Sequence, residues 1–183
     1  MPEIPEATIE QVWQEVSQLP PAGVPKEMDR IGRRQPDLMA FVLAATDDRR
    51  VEVREVAIYL FYIIVRVFER ATAGRLPRVG DAELERQFKR NTASVKRCGS
   101  EQQWFQEQGA SAEMPRQSPV VQSLLRALLA ESKSPDDTEE VGLREEELGT
   151  LFFALKTALD ALEEARAVAE AAPNDSADPG SQP

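Results

Sequence analysis

The chain has 183 residues, enough for one domain with a substantial core, and carries 22 Lys/Arg against 32 Asp/Glu for a net charge of −10. It has one cysteine, Cys98, and no histidine, which excludes intramolecular disulfides, the histidine-bearing zinc and iron sites and every His-based triad. The acidic total argues against non-specific binding of nucleic acid or anionic membrane by the whole molecule, yet 16 Lys/Arg and 11 Asp/Glu fall between Lys26 and Ser100, a basic middle that the acidic remainder can neutralise.

The opening segment MPEIPEATIEQ has neither a positive n-region nor an apolar h-region, so the expectation is a cytoplasmic protein. The first helix is expected over about Ala7 to Leu19. Thr8 and Gln11 are spaced as a capping box, and Ile9, Val12, Trp13, Val16 and Leu19 share one face. Pro20-Pro21 ends it. Lys26 to Arg34 reads as a weakly specified helix whose only large apolar residues are Met28 and Ile31. Pro36 sits at the first position of a helix to Ala45, made core-like by Leu38, Met39, Phe41, Val42 and Leu43, and Thr46 to Asp48 offer caps for the next helix.

That next helix, Val51 to Ala71, is the expected centre of the fold. Ala57, Leu60, Phe61, Ile64, Val67, Phe68 and Ala71 recur at spacings of three and four, and Ile58, Tyr59, Tyr62, Ile63 and Val65 fill the other faces. A helix apolar on every side must be enclosed by others. Its uninterrupted apolar run, Val56 to Val65, is about half the roughly 20 residues of a membrane span, and charges flank both ends.

After the loop RLPRVG, Asp81 begins a helix with Leu84, Phe88, Val95 and Cys98 facing inward and a basic outer side. Ser100 caps a short helix bearing Trp104 and Phe105, and GASAEMPRQ reads as a loop. Ser118-Pro119 opens an amphipathic helix with Val120, Val121, Leu124, Leu125, Leu128 and Leu129, ending near Ser132. The last helix, about Leu143 to Ala172, has a seam of Leu148, Phe152, Leu155, Leu159 and Leu162 stepping four, three, four, three, which suits bundle packing. The expected architecture is therefore all-α: one bundle-like domain of six to eight helices over residues 1–172 and a disordered tail at 173–183.

The leading functional expectation is a non-enzymatic helical module that binds protein, including a second copy of itself through an apolar helix face. No cofactor is implied. A second reading is a carboxylate-only Mg²⁺ enzyme acting on nucleotides: Glu52 and Glu55 share a helix face, Asp160 and Glu163 repeat the spacing, and Mg²⁺ takes oxygen ligands. Helical nucleotide pyrophosphatases pair an ExxE with a later ExxD, and here only Glu52-xx-Glu55 matches the first half. A third reading uses Arg86, Lys89, Arg90, Lys96 and Arg97, with Asn91, Thr92 and Ser94 between them, as a nucleic-acid face; the rival is a solvated helix face paired with the acidic half. Cys98 beside Lys96 and Arg97 reads as a half-buried structural thiol, and Trp13 and Trp104 as core or interface anchors.

Overall fold

The computed structural model describes residues 3–111, 118–132 and 142–171. Eight α-helices account for about four fifths of them: α1 Glu6–Ser17, α2 Val24–Arg34, α3 Pro36–Ala45, α4 Val51–Ala71, α5 Asp81–Cys98, α6 Glu101–Ser111, α7 Pro119–Ala130 and α8 Glu145–Ala171. A single 3-10 turn, Pro21–Gly23, joins α1 to α2, and no strand occurs among the described residues. The fold is all-α. The anticipated helices are present, with ends that coincide or are displaced by at most two residues. No helix of the described residues is long and apolar enough to cross a membrane. The anticipated disordered tail at 173–183 lies outside the described residues.

Two helices share the centre. α8 packs against α3, α4, α5, α6 and α7, while α4 packs against α1, α2, α3 and α8. Both are apolar on more than one side. Along α8 the whole heptad seam is buried, and so are Leu151, Ala154, Ala158 and Ala161 on its other faces. On α4, Phe61, Tyr62, Ile63, Ile64 and Val65 form a buried run, and only Tyr59 of its middle is well exposed, lying edge-on to Trp13 at 6.1 Å between ring centroids. Trp13 in turn donates from Nε1 to Ser123 Oγ at 2.9 Å, which ties α1 to α7.

The caps show how local chemistry competes with tertiary contacts. Ser118 Oγ accepts from the Val121 amide and Ser100 Oγ from the Gln103 amide, as their positions imply. The Thr8/Gln11 capping box does not form, because α1 begins earlier: the Thr8 amide is taken by the Pro5 carbonyl. Thr46 does not cap α4 either. It is buried and turns its hydroxyl back to the Val42 carbonyl, while Arg50 stands at the start of α4. Glu147, three residues into α8, reaches back to the Arg144 amide at 2.8 Å and accepts Arg50 Nε and Nη2, each at 2.9 Å. That contact locks the start of α4 to the start of α8.

On α5 the inward face differs from expectation. Gln87 and Asn91 are buried with Leu84, whereas Phe88 is 40% exposed and packs edge-on between Phe41 and Phe153. The reason lies on α8: Asn91 Nδ2 donates to Asp160 Oδ2 at 2.9 Å and to Thr157 Oγ1 at 3.1 Å, so polar groups on both helices fix the rotation of α5. The segment after α4 is anchored by another buried amide. Gln35 donates to the Pro77 carbonyl and accepts from the Val79 amide.

Gly149 lets the backbones of α6 and α8 approach closely. A Cβ there would lie 2.6 Å from the Gln102 nitrogen and 2.8 Å from the Glu101 carbonyl carbon, both backbone atoms that cannot step aside. Gly149→Ala is therefore expected to lower stability by about 1–3 kcal/mol in urea unfolding. Gly32→Ala, in a helix interior with open space around it, is expected to raise it by about 0.4–1 kcal/mol.

Candidate anion-binding site

The helix least specified by apolar pattern, α2, carries the most distinctive side-chain cluster. It buries one residue, Ile31. Its period places Glu27, Arg30 and Arg34 on the side that meets α4, where Arg66, Glu69 and Arg70 occupy the final turns. Glu69 is the focus: its side chain is only 6% exposed. Its Oε1 accepts Arg30 Nη1 at 2.7 Å and Arg34 Nη1 at 3.0 Å, and its Oε2 accepts Arg30 Nη2 at 2.9 Å and Arg66 Nη1 at 3.2 Å.

The network continues outward. Arg30 Nε donates to Glu27 at 3.0 Å, Arg34 Nη2 donates to the Gly74 carbonyl at 2.8 Å, and Glu15 of α1 pairs with Arg70 and, at 3.8 Å, with Arg66. Burial works to raise the Glu69 pKa, but the Arg30 hydrogen bonds and the charges of Arg30, Arg34 and Arg66 outweigh it and hold the carboxyl below its ordinary range. Arg30 is moved the other way, chiefly by Glu69. Burial and the Glu27 charge push the Tyr62 phenol up. One face of the molecule thus joins α1, α2 and α4 by charge.

These residues surround an open concavity of about 240 Å³ lined by Arg30, Arg34, Arg66, Arg70, Glu69, Ala73 and Gly74. Ala73 and Gly74 contribute backbone without bulk. Past the C-cap Thr72, Ala73 (φ +49°) and Gly74 (φ +78°) both take positive φ and end α4, with the Ala73 amide returned to the Arg70 carbonyl and the Gly74 amide to the Glu69 carbonyl at 2.7 Å. Each guanidinium carries five N–H donors. Arg34, Arg66 and Arg70 therefore bring more donors than Glu69, Glu15 and Gly74 engage.

The candidate residues drawn from sequence lie elsewhere. Glu52 and Glu55 are exposed near the start of α4, and Glu52 shares Arg50 with the first turn of α8 through a 3.9 Å ion pair. Asp160 and Glu163 lie farther along α8, and the 13-residue step from Glu147 to Asp160 spans about 20 Å at helical rise. Asp160 is buried and held by Lys156 and Asn91. Burial first, and Asp160 second, push the Glu163 carboxyl up. The structure does not unite the four, and no group of three or more His, Cys, Asp or Glu among the described residues could hold a metal ion.

Along α5, Arg86 and Lys89 pair with Glu83 and Glu85 of their own helix, and Arg97 bonds Ser94. Arg90 and Lys96 are exposed, while Asn91 is withdrawn into the core. Cys98 is half-buried and donates to Glu107, whose hydrogen bond raises the thiol's pKa. The arginine cluster escaped sequence reasoning because its members lie on helices far apart in the chain. The usable signal was the i, i+4 pair Arg30 and Arg34 on a helix too poor in apolar residues to dock by burial alone.

No family model matches the chain, and none of the curated proteins or solved structures matches it.

Glu69→Gln is expected to lower stability by about 1–3 kcal/mol, because three arginines lose a shared counter-charge yet remain partly hydrated. Asp29→Asn, at an exposed pair with Arg33, is expected to change it by no more than about 0.5 kcal/mol. Since the folded-state pKa of Glu69 is depressed, its contribution is complete above the unfolded value of about 4.3 and is lost as pH falls through the folded value. Urea unfolding from pH 7 down to 3 should show the gap between wild type and Glu69→Gln closing on the acid side.

Proposed function

We propose that the chain is a non-enzymatic helical binding module that recognises an anionic group at the pocket between α2 and the end of α4. One observation carries the reading: four arginines from two helices line a single concavity in which Glu69 is the only carboxylate among the described lining residues. Arginine suits this role because its planar fork meets carboxylate and phosphate oxygens two at a time.

Charge context supports the same reading. In a chain of net charge −10, a positive concavity does not follow from a general excess of base. The acidic remainder repels an extended polyanion at long range, whereas one anionic group entering the pocket meets guanidiniums within contact distance. Among the described residues the exposed large apolar side chains, Val24, Leu43, Val51, Tyr59, Phe88, Leu129 and Val168, are spread over six helices, so polar recognition has better support than an apolar face.

Thermal unfolding in phosphate, sulfate or citrate, against chloride at matched ionic strength, tests this. A site with a dissociation constant near 1 mM gives about 1.4 kcal/mol at 10 mM anion, a rise of a few degrees in Tm. The rise should vanish in the double variant Arg66→Gln with Arg70→Gln. Equal Tm in all four anions for the wild-type protein would refute the proposal.

A further inference from the structure

The anion-binding reading above leaves the ligand's chemistry open, and the pocket narrows it. We infer that the α2–α4 pocket takes a phosphoryl group, a tetrahedral oxyanion of about two negative charges, on a carrier that stays in solvent. The inference rests on that reading and adds three observations to it.

The first is the disposition of donors. A carboxylate offers two oxygens in one plane, and Glu69 already occupies that role, with four N–H donors from three arginines converging on its two oxygens. The donors left over belong to Arg34 on α2 and to Arg66 and Arg70, one turn apart, on α4. They approach from two separate helices. A phosphoryl group presents three acceptor oxygens as a tripod, the shape that three separated forks can satisfy together.

The second observation is charge. Arg30, Arg34, Arg66 and Arg70 stand against Glu15, Glu27 and Glu69 in the network, and exposed Arg75 follows directly on the pocket residue Gly74. The network itself carries a surplus of one positive charge, and the four arginines lining the concavity exceed its Glu69 by three, a range that brackets the roughly −1.5 to −2 of a phosphate monoester near neutral pH. The third is room. About 240 Å³ is several times the roughly 30 Å³ share of a water molecule, and the Ala73–Gly74 wall has no long side chain to bar the carrier.

The experiment uses the full chain and four probes at fixed ionic strength: inorganic phosphate, citrate, a short phosphoserine peptide and its unmodified serine counterpart. Binding is read by ³¹P line broadening and by calorimetry. Phosphate or the phosphoserine peptide should bind at least about tenfold more tightly than citrate and the serine peptide. Arg70→Gln and Arg66→Lys should each weaken that binding about tenfold or more, while Arg126→Gln, on exposed α7 surface, leaves it unchanged.

Circular dichroism and thermal unfolding establish that each variant is folded, and Arg66→Lys keeps the charge while removing the fork. Preference for inorganic phosphate over the phosphopeptide assigns a small phosphorylated molecule, and the reverse assigns a phosphorylated chain; either supports the phosphoryl group. Citrate binding as tightly as phosphate overturns the phosphoryl assignment and leaves the anion-binding reading standing. Failure of all four probes to bind removes both.

Discussion

The structure depends on one constraint: a helix that is apolar around its whole circumference cannot face water on any side. From Leu148 to Leu162, α8 is buried at every position but Lys156, apolar on most sides with Thr150, Thr157 and Asp160 turned to polar partners, and five other helices close around it. Its small residues decide how near they come. Gly149 lets the backbone at Glu101 and Gln102 sit directly on α8, and Ala154, Ala158 and Ala161 keep the cylinder thin, so that side chains from its neighbours fill the remaining space. α4 repeats the logic on a smaller scale, enclosed by α1, α2, α3 and α8.

Burial alone does not choose which way each surrounding helix is turned. Polar contacts do that here. Glu147 joins the starts of α4 and α8 through Arg50, Asn91 sets α5 against Thr157 and Asp160, and Gln35 pins the segment that follows α4. Each is a buried group whose partner must be present, which makes a misplaced helix costly in a way that a slipped leucine is not. The Glu69 cluster belongs to the same class and differs in one respect: it holds more cation than its own carboxylate neutralises.

Much of the fold was legible because helical period is a local property. The spacing of Leu60, Phe61, Ile64 and Phe68, the seam from Leu148 to Leu162, and the Ser118-Pro119 and Gln35-Pro36 starts each identified an element with nothing beyond its own residues. What local pattern left out was rotation and company. Phe88 lay on the apolar side of α5 by period, yet Asn91 answered to Asp160, 69 residues away, and turned the helix. The capping expectation at Thr8 failed because helix starts are decided by neighbouring carbonyls as much as by the capping residue.

The candidate site was not legible, for the same reason: Glu69 meets Arg30 and Arg34 across gaps of 39 and 35 residues, and a list of charges does not say which of them share an address. The basic run on α5, conspicuous in sequence, is by contrast partly neutralised by carboxylates on its own helix.

The sparse burial of α2 divides the molecule into two thermal regimes. With one wholly enclosed residue, Ile31, Met28 packed beside it and ion pairs over the rest of its contact with α4, α2 contributes less to the heat capacity of unfolding than the apolar helices do. Its attachment weakens as ionic strength rises, while the core around α8 is nearly indifferent to salt. An opening confined to α2 would carry the guanidiniums of Arg30 and Arg34 away from Arg66 and Arg70, which ties the integrity of the concavity to the docking of that helix.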